Sequence, residues 1–221
     1  MFTTEMFILM GEGLLETLYM TLVAAAVSYV LGLPLGLVLV VTDADGIRPN
    51  AAVNRILGTI INALRSVPFL ILLFTVIPVT RFITGTTIGP TATIVPLTIA
   101  AAPFIARMVE SSVKEVDRGV IEASLSMGAS TLQIVWHVLL PEALPSLING
   151  AAIATTTLLG YSAMAGICGG GGLGAIAINY GYYRYQTDVM LVTVALLVII
   201  VQVFQEVGMR IAHKVDKRVK S

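Results

Sequence analysis

Charge is scarce in this chain. Only 12% of its 221 residues are Asp, Glu, Lys or Arg, about half the share found in soluble domains. Thirteen basic residues balance thirteen acidic ones, so no net positive field exists to draw a nucleic acid. Cysteine occurs once, as Cys168, which excludes an internal disulfide and a cysteine-based zinc site and leaves the redox compartment open. His137 and His213 stand isolated, and no Ser, His and Asp arrangement or pair of carboxylates supports an active site. No catalytic residue, metal site or resident cofactor is therefore assigned. Lys and Arg are also missing ahead of the first apolar run, where Glu5, Glu12 and Glu16 stand instead. That is the wrong flank for a cleaved signal peptide, and the run is expected to remain as a membrane anchor.

What the chain has in quantity is apolar length, with 57% hydrophobic residues. A bilayer core of about 30 Å needs roughly 20 apolar residues per helix, and the runs are too long and too uniform for the alternating strands of a barrel. The expected architecture is all-α and polytopic, with five transmembrane helices. The first covers 17–41, with Gly32, Pro34 and Gly36 expected to bend or loosen its second half. "TDADGIRPN" then reads as a loop. The second span lies in 56–77, holding Arg65 and kinked near Pro68, and the third in 88–106. Charges return from Arg107 and mark a solvent-facing segment, 107–145. The fourth span is 147–165, followed by a Gly-rich loop and a short helix, and the fifth is 189–208. Residues 13–208 thus form one transmembrane domain, and 209–221 a basic tail.

Lys and Arg concentrate in cytoplasmic loops. With the amino terminus outside, Arg48, Arg55, Arg107, Lys114, Arg118, Arg210, Lys214, Lys217, Arg218 and Lys220 all fall on the cytoplasmic side. Only Arg81 and Arg184 fall outside. The polar stretch between the third and fourth spans, "IEASLSMGASTLQIVWHVLLPEALP", is then cytoplasmic. It reads as a short helix, a glycine that breaks or caps it, and a second amphipathic helix stopped by proline. Small residues around Glu122 suit close approach by a partner, with the carboxylate free for one basic or amide contact. An interfacial helix lying on the bilayer is the alternative, though such helices carry Lys or Arg on the polar face.

Glu122, Ala123 and Ser124, then Gly128, then Val138, Leu140 and Pro141 resemble the EAA loop of type I ABC importer permeases: E-A-A, three residues, G, nine residues, I-x-L-P. Ser124 stands for the second alanine and Val138 for the isoleucine. The resemblance implies that this loop docks on a cytoplasmic ATPase subunit and passes its movement to the spans. "LRSVPFLILLFTVIPVTRFITGT", "IVPLTIAAAPFIARMVE", "GYSAMAGICGGGGLG" and "YGYYRY" are similar to the permeases of bacterial methionine importers, from the first span nearly to the last residues. That similarity implies a homodimer in the bacterial cell membrane, with two ATPase subunits that bind ATP and Mg, an extracytoplasmic methionine-binding protein, and an amino-acid substrate.

Other features read in two ways. The glycines at 169–172 and 174 lack the Gly-Lys-Ser/Thr of a P-loop and are expected to form a close-packed turn. Arg65 either reaches the lipid headgroups or has a structural or pathway role inside the bundle. Glu206 poses the same choice, with Arg210 one turn on. Tyr161, Ser162 and Met164 are either ordinary packing or part of a gate, for which a flexible thioether suits a gap that opens and closes. An importer of another amino acid or small solute would share the fold and the loop. An ion-coupled carrier or membrane scaffold belongs to a different class, and the absence of ionisable residues from the third and fourth spans counts against a proton-coupled carrier.

Overall fold

Pro34 does not interrupt the first helix. In the computed structural model, which describes residues 4–216, α1 runs from Thr4 to Val41. The expected loosening around Gly32 and Gly36 is absent, because the two glycines serve a helix contact instead. A Cβ on Gly36 would lie 2.5 Å from the Ala106 carbonyl oxygen, and one on Gly32 2.8 Å from that of Ala102. This four-residue spacing of bare Cα positions lets α1 lie against the third span.

Every regular element among the described residues is helical: α2 (Ala51–Ser66), α3 (Phe69–Thr75), α4 (Ile77–Thr84), α5 (Pro90–Lys114), α6 (Arg118–Ser126), α7 (Thr131–Ile134), α8 (Leu140–Ala165), α9 (Gly172–Ile176) and α10 (Thr187–Val215). Four helical stretches are long and apolar enough to cross a membrane, and five if α2 and α3 count as one broken span. The kink expected near Pro68 is a full break. Pro68 is extended, at φ −58° and ψ 136°, and the residue before a proline is pushed out of the helical region.

The helix after the polar stretch also differs from expectation, since proline does not stop it. Helical structure is unbroken from Thr131 through Pro141 and Pro145 to Cys168. A helical proline crowds the carbonyl four residues back, and for Pro141 that is His137. Val135–Leu139, which contains it, is wound as a π-helix, whose wider turn relieves the clash.

The chain divides into two compact units. One comprises the segment up to Ser28, Val67–Ala101 and Ala154–Gln205. Its core joins Met10 of α1, Leu173 and Ile176 of α9, and Val189 of α10. The glycine cluster is a close-packed turn here. A Cβ on Gly166 would strike the backbone of Gly174 and Ala175, and one on Gly174 the Ala163 carbonyl. Two α1 side chains then cap α9: Gly172 N–H donates to the Glu16 carboxylate at 2.7 Å and Leu173 N–H to Thr17 Oγ1 at 2.9 Å.

The other unit comprises Tyr29–Ser66, Ala102–Ile153 and the segment from Glu206 on. Leu39, Ile61 and Ala106 pack together at its centre. Arg210 Nε donates to Glu206 Oε1 at 2.7 Å, so Glu206 is paired along its own helix. The end of the basic tail, Lys217, Arg218 and Lys220, lies outside the described residues.

Candidate functional site

The polar stretch is built as a rigid helix-turn-helix. Asp117 caps α6, accepting from Gly119 N–H at 2.6 Å. At the other end the chain reverses through Gly128, at φ +80°. Ala129 N–H reaches the Ser124 carbonyl at 3.1 Å, and Gly128 N–H the Leu125 carbonyl at 2.9 Å. This pair is a Schellman closure, which needs a left-handed residue that glycine adopts without strain. Two residues on, Ser130 opens α7 with a capping box. Its Oγ accepts from Gln133 N–H, and its own N–H donates to Gln133 Oε1 at 2.8 Å. The turn is therefore fixed from both sides by hydrogen bonds internal to the stretch.

Of the residues singled out from sequence, Glu122 and Ala123 are exposed on α6. Ser124 is buried and donates to the Val120 carbonyl at 2.8 Å, so it supports the knob from beneath. Gly128 forms the turn, while Val138 and Leu140 are half-buried and Pro141 is exposed. Sequence reasoning missed the apolar residues around them. Met127 is 80% exposed, Leu132 70% and Trp136 63%. Helical spacing could have found Leu132 and Trp136, four residues apart, but not Met127, whose exposure depends on the turn. The stretch thus exposes a carboxylate and several large apolar side chains.

A row of ion pairs holds the foot of the knob. Arg118 Nη2 meets Asp45 Oδ2 at 3.0 Å, and Lys114 Nζ meets Asp43 Oδ2 at 2.6 Å and Glu110 Oε1 at 2.9 Å. Glu110 Oε2 in turn receives Arg107 Nη1 at 2.6 Å, while Arg107 Nη2 donates to the Gly58 carbonyl of α2 at 3.2 Å. Between the 42–50 loop and α6 lies a cleft of about 460 Å³, with Asp43, Ile47, Arg118 and Glu122 on its walls. The hydrogen bond from Lys114, seconded by Ala44 N–H, holds the Asp43 carboxyl below the usual carboxylate range. A lowered folded pKa means stability present above the ordinary value of about 4 and lost as pH falls through the folded one. The Tm difference between the native chain and Asp43→Asn is accordingly expected to be present at neutral pH and to shrink on acidification. A difference that widened in acid would remove Asp43 from this role.

In the first unit, the trio Tyr161, Ser162 and Met164 separates. Tyr161 stacks on Phe69 with ring centroids 4.6 Å apart, and Met164, three residues on, is exposed on the same face of α8. Ser162 is 0% exposed and donates to the Leu159 carbonyl at 2.8 Å. One helical step of about 100° turns it away from the face the others share.

A family description, binding-protein-dependent transport system inner membrane component, matches residues 30–221. The chain belongs to this family. Among members of the permease family, it is similar to the probable D-methionine transport system permease protein MetI of Vibrio cholerae, 52% identical over 203 residues, covering 92% of this chain and 90% of that one. The MetI permease of Escherichia coli is 54% identical over 158 residues, 72% of this chain and 73% of its own. A chain of the MetNI methionine ABC transporter, solved in inward-facing conformations, superposes with a TM-score of 0.96 at 50% identity, over 98% of this chain and 100% of that chain. The fold is thus that of a type I ABC importer permease, in a multi-pass membrane protein.

Proposed function

We propose that this permease is the membrane-spanning, non-catalytic subunit of an ATP-driven importer that carries methionine into the cell. The observation that carries the reading is likeness over the whole length, at 50% identity, to a chain of a methionine ABC transporter. In this reading two copies form the pathway, two cytoplasmic ATPase subunits bind ATP and Mg, and an extracytoplasmic binding protein delivers methionine. The knob of Glu122, Ala123, Ser124 and Gly128, continued by Val138, Leu140 and Pro141, docks on the ATPase. Tyr161 and Met164 face the pathway. ATP favours closed ATPase subunits and an outward-facing pathway, and hydrolysis with product release favours the inward state, because each ligand shifts the equilibrium only by its differential affinity.

The test is uptake of labelled methionine into vesicles holding the complete complex, against a panel of competing amino acids. ATP-dependent uptake displaced by unlabelled methionine is expected. Displacement by another amino acid alone would move the substrate, and uptake by this chain alone on an ion gradient would overturn the reading. The placement of Lys and Arg supports an outside amino terminus. A cysteine at Glu5 should be labelled from outside and one at Asp216 from the cytoplasm, in a Cys168-free chain. Labelling of both from one side would reject the orientation.

A further inference from the structure

α2 carries three faces where a helix packed in a bundle needs two. The first is buried: Gly58 and Ile61 are covered, Ile61 against Leu39 and Ala106, and half-buried Asn54 donates to the Leu39 carbonyl at 2.8 Å. The second is exposed and apolar, with Val53, Ile56, Ile60 and Leu64 recurring at helical spacing. The third is exposed and polar, with Arg55, Thr59, Asn62 and Ser66 three or four residues apart. At about 100° per residue these four share an arc of roughly 60°. Arg65, also exposed, is three residues beyond Asn62 and so its neighbour on the helix surface, at the angle of the buried face between Ile61 and Gly58.

Burial in lipid sorts the polar residues. Thr59 and Ser66 need nothing from outside, since their hydroxyls donate to the Arg55 and Asn62 carbonyls at 2.7 and 2.8 Å. The Asn62 amide and the Arg65 guanidinium find no partner among the described residues. An unpaired amide or guanidinium facing hydrocarbon is strongly disfavoured. Arg65 is ten residues beyond Arg55, hence about 15 Å further along the helix. If Arg55 marks the cytoplasmic interface, Arg65 sits near the middle of a core of about 30 Å. Headgroups then lie beyond the reach of its side chain.

Resting on the transport reading above, we propose that the polar arc of α2 lines the water-filled pathway, and that Asn62 and Arg65 engage the carboxylate of a passing amino acid. A guanidinium presents paired N–H donors to a carboxylate, and an amide adds a third. The contact uses the group that all amino acids share, so it orients the solute and leaves the choice of side chain to other residues. The apolar arc faces lipid or the second copy.

The experiment uses the complete importer in vesicles, with single cysteines in a Cys168-free chain and a charged, membrane-impermeant thiol reagent. Cysteines at Thr59, Asn62 and Ser66 should react at least about tenfold faster than those at Ile56, Ile60 and Leu64, since the charged reagent needs water around the thiolate, and methionine should slow the reaction at 62. Equal rates, or faster reaction on the apolar arc, would overturn the proposal and place the polar arc against lipid or a second copy. Asn62→Leu and Arg65→Met should raise the KM for uptake about tenfold, with Arg65→Lys restoring part of the loss. An unchanged KM in both variants would remove the carboxylate contact. If another amino acid proves to be the solute, the reactivity contrast should still stand, so the two readings fail separately.

Discussion

Gly128→Pro is expected to abolish ATP-coupled uptake while the protein still inserts in the membrane. Two faults combine at this residue. Proline holds φ near −65°, whereas Gly128 sits at +80°, and proline removes the N–H that donates to the Leu125 carbonyl. The Schellman closure is lost and α7 is aimed elsewhere. Gly128→Ala isolates the first fault, because a Cβ there meets nothing within 4 Å. It should cost about 1–2 kcal/mol of local stability and only weaken coupling. Glu122→Lys breaks no side-chain hydrogen bond or ion pair in the described chain but reverses the charge offered to a partner. Copurification with the ATPase, and uptake per ATP hydrolysed, read all three. Normal assembly and coupling in both Gly128→Pro and Glu122→Lys would remove the knob from the transport cycle.

Gly174→Val should leave little folded protein. The added side chain would run into the Ala163 carbonyl and Cα, which are backbone atoms of a packed helix and cannot rotate aside. Overpacking a core costs about 1–3 kcal/mol, and here the turn that α9 and α10 are built on would have to open. Gly11→Ala is the matched control, since its Cβ meets nothing within 4 Å and alanine is the better helix former by about 1 kcal/mol. Thermal unfolding of the purified complex should show a lowered Tm or no recoverable protein for Gly174→Val, and an unchanged or higher Tm for Gly11→Ala. A Gly174→Val protein with native Tm would contradict the packing of the turn.

The all-α class and the polar helix pair at 118–141 were legible because apolar length and charge spacing report them directly. Continuity was not. Pro68 and Pro141 look alike in sequence, yet one ends a helix and the other lies inside one, because a π-helical turn relieves the second. Glu16 and Thr17 gave no local sign of their task, since their partners lie 156 residues away. Ser162 was grouped with Tyr161 and Met164 by adjacency, where helical rotation separates neighbours and unites residues three or four apart. Arg65 was visible as an anomaly, but its setting needed the buried face of α2 to be known first.

The wide turn at Val135–Leu139 also makes the chain unusually tolerant of editing there. Such a turn holds one residue more than the α-helix needs, so it behaves as an insertion that the helix has absorbed. Excising a single residue from 135–139 should return the turn to ordinary winding and keep Ile134 and Leu140 in phase. The same excision in the regular stretch of α8 would rotate everything beyond it by about 100° and scramble its faces.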